Sequence, residues 1–334
     1  MSSMGTRLER FDRWQQQRRR PAIGLATLKK FQEDQTTNLA GLVAFWAFFS
    51  VFPLLLVLVT LLGYFDASQS VMNNIRQMLP ILEEQKPSAL NGNALALVVG
   101  IVSAMWSGMA VVRTAQYAFN TIWEVPMNER PKLVEQTVRS LKVLAVVGVG
   151  LVLSTVVTGF LTSTANDILP AVASSIIGPA IALALDIGLF VAAFRLLTDR
   201  AITTKQVLPG ALLAGVVFWA LQLASTLIIG RYLQNAQATY AAMATAITML
   251  WWFYLQAIVT LLGVQLNVVL AHRLWPRSLV GGPATRADHE AYDAYAKERT
   301  YHDNEEVDTT FRPEAPEVPE GPAGTDETAG QQRN

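Results

Sequence analysis

Apolar residues run almost without charge over about residues 38–64, 91–112, 143–165, 169–194, 207–230 and 245–271, and polar segments separate these runs. Each run meets or exceeds the roughly 20 residues needed to cross a hydrocarbon layer about 30 Å thick. None shows the two-residue alternation of barrel strands. A backbone surrounded by lipid has no water to bond, so its N–H and C=O groups must pair within the segment. The pattern therefore predicts an all-α, polytopic membrane protein with six transmembrane helices.

Charge refines this picture. Of the 334 residues 51% are apolar and only 16% charged, and the formal net charge is zero, so no global field draws the chain to nucleic acid. The lysines and arginines are unevenly placed: 23 lie in the two terminal segments and the loops after spans two and four, and 3 in the remaining loops. Basic residues collect on the cytoplasmic side, so both termini are expected there, in a bacterial inner or plasma membrane. Three regions follow: a basic N-terminal segment (1–37), a six-helix membrane domain (38–275) and an acidic tail (276–334). The tail holds 13 of the chain's 26 aspartates and glutamates, among prolines and small residues in a stretch poor in aliphatics. Such a composition is expected to leave it disordered. Between 65 and 90, apolar residues at helical spacing predict a short amphipathic helix on the opposite surface.

Polar residues inside the spans are the candidates for function. Asp186 is the only acid within one, nine residues before Arg195 and so about 13 Å from that boundary. An acid in the bilayer is costly and is expected to face the bundle interior, as a proton or cation relay or as a hydrogen-bonded neutral group. In the last span Gln256, Thr260, Gly263 and Asn267 share one helical face, with Gln265 off it. In the fifth, Ala211, Gly215, Phe218, Gln222 and Ser225 share another. Small residues and amides on two such faces predict a close helix crossing. Pro53 interrupts the first span, and Ser50 lies one turn earlier, placed to take up a freed backbone group.

Enzyme templates find little support. His272, His289 and His302 lack ligand spacing, there is no cysteine, and no phosphate-loop, GxSxG or HExxH pattern occurs. No carboxylate cluster suits two-metal hydrolysis. The expectation is a non-enzyme with no catalytic residues, metal or cofactor and no nucleic-acid partner.

Four stretches together resemble the YihY/BrkB family of membrane proteins, also labelled ribonuclease BN-like. The first span carries Phe45-Trp46 and the SVFPLL run that includes Ser50 and Pro53. The second ends with Trp106 and Ser107, followed by Asn120. The fifth opens with Pro209, Gly210 and Ala211, and the sixth holds LLGVQLN with Gly263 and Asn267. Two positions depart from the family pattern: Gln265 stands where glutamate is usual, and Thr198 where proline is common. The resemblance implies a six-helix integral membrane protein of poorly defined activity. The expected partners are the lipid bilayer and a small or lipid-like solute, which the protein moves or binds. The alternative is a non-transporting scaffold for envelope partners. Substrate, coupling ion and oligomeric state are encoded in no motif.

Overall fold

A computed structural model of the chain describes residues 3–64, 94–168, 171–235, 238–279 and 283–311. Among them the regular elements are helical, with no strand. Two N-terminal helices, α1 (Ser3–Gln16) and α2 (Arg19–Glu33), precede six long ones: α3 (Thr36–Tyr64), α4 (Ala94–Ile122), α5 (Leu133–Ile168), α6 (Ala171–Leu197), α7 (Thr204–Asn235) and α8 (Ala238–His272). A last helix, α9 (Arg286–Glu298), follows a short irregular stretch. All six long helices contain a window apolar and long enough to cross a membrane. The amphipathic helix expected at 65–90 lies outside the described residues.

Each spanning helix packs against the next, and α8 returns to α3, so the six form a closed ring. α8 is the most enclosed: 44% of its apolar window is buried, against 11–28% in the others. Apolar side chains on the outer faces, such as Val98, Val102, Val149 and Val152, stay exposed. Such a surface requires lipid as its solvent. The buried core gathers at the end that carries the chain termini. There Phe119, Ile122, Trp123, Phe194, Leu261 and Val264 pack together. Edge-to-face contacts link Phe119 to Phe194 at 5.5 Å, and Phe190 to Phe218 at 5.7 Å.

Sequence accounts for the ends of these helices. α4 runs past its apolar span to Ile122 and α5 begins at Leu133, with Pro126, Pro131 and a 3-10 turn at Met127–Glu129 between them. Proline cannot donate the next helical hydrogen bond and restricts the residue before it. α3 continues through Pro53. Ser50 bonds the carbonyl of Ala47 at 2.7 Å rather than the group freed by the proline.

The tightest crossing joins α7 to α8. Gly210 and Gly263 meet backbone to backbone, and a methyl on Gly263 would stand 2.7 Å from the Gly210 carbonyl oxygen. The Gly210 N–H donates to Asn267 Oδ1 across the interface at 2.6 Å. The contact stripe on α7 thus runs through Gly210 and Ala214. Gly215, predicted to share this interface, faces Ile187 of α6 instead. One residue of register turns a side chain by about 100°, enough to carry it to a different neighbour.

Order reaches into the segment read as tail: residues 276–279 and 283–311 are described, bonded to α1, α2 and the α4–α5 loop, while 312–334 lie outside the described residues. Arg277 is buried and pairs with Asp288 at 2.7 Å and Glu33 at 3.0 Å. Asp288 also receives Lys29 at 2.8 Å and the Ser278 N–H at 2.9 Å. Thr285 and Asp288 form a reciprocal capping box at the start of α9. Docking uses charge pairing and capping rather than aliphatic burial, so an average over the tail's composition does not reveal it.

Burial opposes ionisation of Asp288, but Lys29, Ser278, Arg277 and Thr285 outweigh it and hold the carboxyl well below the usual carboxylate range. A depressed folded pKa contributes stability that is fully present above the unfolded value and is lost progressively as pH falls from there through the folded one. The docked tail is therefore expected to survive acidification to about pH 4. Asp288→Asn leaves Arg277 buried and short of charge, at a cost of about 3 kcal/mol. Limited proteolysis and thermal unfolding in detergent will check both, and ending the chain at residue 281 should be as harmful as the substitution.

At the α7–α8 crossing, Gly263→Ala forces the backbones apart, at about 1–3 kcal/mol. Asn267→Leu removes the hydrogen bond to the Gly210 N–H across the interface, at about 1 kcal/mol. Their effects are expected to be sub-additive, since both loosen one contact. Thermal midpoints of the singles and the double measure this.

Candidate functional site

At the termini-bearing end a lysine is enclosed by protein on every side. Lys30 lies on the face of α2 that also buries Ala22, Ala26 and Thr27, and its side chain is fully buried. It pairs with Asp34 Oδ2 at 3.0 Å and with Glu124 just past the end of α4. Glu124 has a positive φ of 47°, an uncommon conformation for a residue with a Cβ. The Val125 N–H returns to the Asn120 carbonyl at 2.9 Å, so the helix closes in a left-handed C-terminal turn. That turn aims the glutamate inward.

The network extends to three further elements. Gln265 of α8, wholly buried, donates to Asp34 Oδ2 and Thr36 Oγ1, each at 2.8 Å. A glutamate here would put a second carboxylate against Asp34, whereas the amide supplies a donor. The ring of Tyr295 on α9 lies 4.8 Å from the Lys30 ammonium, and its hydroxyl donates to Glu33 Oε2 at 3.0 Å. Glu33 leads to Arg277 and the docked tail. His272, at the end of α8, stands 3.7 Å from the second Glu124 oxygen.

Two buried carboxylates thus share one ammonium. Glu124 and Asp34 outweigh the cost of burying Lys30 and raise its pKa. Burial, with Asp34 as a lesser cause, raises the Glu124 carboxyl despite Lys30.

The residues singled out in the sequence are dispersed. Asn120 joins α4 to the α6–α7 loop: its Oδ1 accepts the Asp199 N–H at 2.8 Å, and its amide donates to the Asp199 carboxylate. Arg139 binds the same aspartate and donates to the Thr198 carbonyl at 2.6 Å. Thr198 Oγ1 bonds Phe194 O at 3.0 Å, a bond that proline cannot make. Trp106 is exposed and meets Trp46 edge to face at 6.3 Å. Ser107 is buried and bonds its own helix at Ala104. Pro209, Gly210, Gly263 and Asn267 do converge, at the α7–α8 crossing. Gln222 lies on an exposed face of α7. Gln256 is half-buried, and neither amide atom finds a hydrogen-bond partner among the described residues. Asp186 is half-buried on α6.

A second feature lies within the spans. α3, α4, α5 and α6 wall an apolar cleft of about 520 Å³, in which Ser50 is the one polar side chain among the described residues. Ala104 and Gly108 of α4, Gly148 of α5, and Ala193 of α6 keep it open with small side chains. Leu54, Ile101 and Met105 at its edge are exposed, so it opens toward lipid.

Sequence reasoning missed Lys30, Asp34, Glu124 and the docked tail. One local signal is present: TRAD at 285–288 matches a helix-start capping pattern, followed by apolar residues at helical spacing.

Six apolar helices closed into a ring define a polytopic α-helical membrane protein. The chain belongs to the Virulence factor BrkB family, whose sequence profile matches residues 27–287. It is 24% identical to a UPF0761 membrane protein of Pseudoalteromonas translucida, over 82% of this chain and 92% of that one. It is 27% identical to a UPF0761 membrane protein of Pseudomonas aeruginosa, over 74% of this chain but only 62% of the relative. A ribonuclease-like protein of Bacillus subtilis is 26% identical over 69% of this chain and 88% of its own length. No solved structure matches.

The buried network predicts a pH dependence. A folded pKa raised above the unfolded one contributes stability at low pH and loses it as pH rises through the folded value. Thermal stability is therefore expected to fall through Glu124 as pH rises above the ordinary glutamate range, and Glu124→Gln should flatten that slope. Lys30→Met leaves two carboxylates buried without their cation, at about 3–5 kcal/mol. Adding Glu124→Gln should recover part of this. Unfolding midpoints across pH for the three variants provide the check.

Proposed function

We propose that this protein binds and moves an amphipathic solute bearing an aliphatic chain across a bacterial cytoplasmic membrane. The supporting observation is the apolar cleft of about 520 Å³ between α3, α4, α5 and α6, opening sideways to lipid. Its single polar side chain, Ser50, suits an acyl chain and offers little to a sugar or an ion. The 23-to-3 basic asymmetry favours the termini-bearing end as the cytoplasmic one. By helical spacing, Asp186 shares a stripe with Ala193 and Leu197, which line the cleft. It would serve as the residue that changes protonation during transport. The ordered platform of α1, α2 and α9 favours the second reading, a scaffold that offers this surface to envelope partners.

The ribonuclease-like label of one relative supplies no such geometry for this chain. His272 sits beside Glu124, His289 stacks on Phe311, and His302 is exposed. No group of three candidate metal ligands occurs among the described residues.

The test uses the purified full chain and a fluorescent fatty-acyl probe. A Cβ at Gly148 meets nothing within 4 Å, so Gly148→Leu fills the cleft without a backbone clash. Binding is expected to weaken about tenfold, near the 1.4 kcal/mol that one lost apolar contact supplies. Asp186→Asn should retain binding and lose movement of the probe into vesicles. Wild-type binding by the Gly148→Leu protein would sink the proposal, and unchanged movement by the Asn variant would remove Asp186 from it.

A further inference from the structure

A second cleft, of about 710 Å³, lies at the termini-bearing end of α6, on the face away from the apolar cleft. One wall is apolar and comes from Gly188, Val191 and Ala192 of α6. These residues reach back from Arg195 by seven positions, about 10 Å into the apolar span. At the mouth stand Arg195 and Arg200, and Ile202 and Thr203 close the far side. Among the described residues no carboxylate lines it. Arg195 spends part of its guanidinium on the Ile202 carbonyl and Thr204 Oγ1, each at 3.2 Å. Both arginines are exposed, and no hydrogen bond or ion pair to the Arg200 side chain is found among the described residues. Glu124, Glu129 and Asp293 line the smaller polar pocket on the other side of Arg200, where Asp293 is paired with Lys297. Glu124, however, is already paired with Lys30.

We propose that this groove holds one anionic phospholipid, with its phosphate on Arg195 and Arg200 and its acyl chain along Gly188, Val191 and Ala192. Two features favour a lipid over a soluble anion, and a third favours an anion of either kind. The arginines stand where the apolar span Gly178–Leu197 ends, at the depth of a headgroup. The wall below them is apolar and exposed at Gly188, which suits hydrocarbon. Thr203, which precedes α7, also borders the mouth, so the positive end of a long helix adds to the two cations. Basic pockets between spanning helices at a membrane surface recognise anionic headgroups in this way. The groove is independent of the transport cleft, because the two use opposite faces of α6.

The experiment titrates the purified full chain in detergent with dioleoylphosphatidylglycerol or dioleoylphosphatidylcholine and counts bound lipid by native mass spectrometry. One phosphatidylglycerol is expected to bind at concentrations where phosphatidylcholine does not. Arg200→Gln removes a charge that has no hydrogen bond or ion pair among the described residues. Gly188→Leu fills the apolar wall at a position where a Cβ meets nothing within 4 Å. Each should weaken phosphatidylglycerol binding about fivefold and leave the unfolding midpoint without lipid unchanged. Equal binding of the two lipids would overturn the proposal. So would displacement by millimolar inorganic phosphate, which would mark a free-anion site, or wild-type binding by both variants. Should Gly188→Leu fail to fold, Arg200→Gln decides alone. Loss of fatty-acyl binding in Gly148→Leu with phosphatidylglycerol binding intact separates this site from the transport cleft.

Discussion

The arrangement of the termini-bearing end depends on keeping Lys30 charged where water cannot reach it. An ammonium removed from water costs several kcal/mol unless opposite charge and hydrogen bonds replace its hydration. Asp34 supplies one partner from the same helix face, and Glu124 supplies the other from the turn after α4. To present Glu124, the chain adopts a left-handed conformation that a non-glycine residue adopts only at a cost. α2 is thereby tied to α4, Gln265 ties α8 to Asp34, and Tyr295 ties in α9. None of these elements can shift alone without leaving a charge or amide unpaired. The network thus does for the helix ends what lipid does for their middles: it penalises every alternative arrangement.

Within the bilayer a different constraint acts. Lipid is as apolar as leucine, so helices gain little from burying aliphatic side chains against each other. Contact must come from close approach and from polar groups that find partners across an interface. Gly210 and Gly263 provide the approach, and Asn267 provides the hydrogen bond. The charged cluster and this crossing share α8, because Gln265 faces the cluster while Gly263 and Asn267 face α7. α8 is accordingly the most enclosed helix of the ring.

These two constraints decide how much of the fold is legible in the sequence. The six spans are legible because lipid demands long uncharged runs, and water-soluble folds seldom contain six of them. The α7–α8 crossing is legible in kind, since small residues and an amide recur on one face of α8. On α7 it is misplaced by one residue, because the 3.6-residue period leaves neighbouring stripes nearly equivalent when both hold small side chains. Lys30 is not legible. In a basic segment a lysine reads as solvated, and its glutamate lies 94 residues away. The docked tail is hidden by averaging: a 13-residue helix with a capping box lies inside a longer acidic stretch whose mean composition predicts no order.

α6 borders both clefts. Its face bearing Ala193 and Leu197 lines the apolar cleft, and its face bearing Gly188 and Arg195 lines the cationic groove. A helix packed on all sides would have no freedom to move, whereas α6 has open volume on both flanks. It is held near its end, where Phe194 meets Phe119 and where Asp199 binds Asn120 and Arg139, and further along, where Phe190 meets Phe218 and Ile187 packs on Gly215. Small side chains open a cleft on each flank of α6 and so remove packing there, which leaves these aromatic and polar contacts to fix its place in the ring.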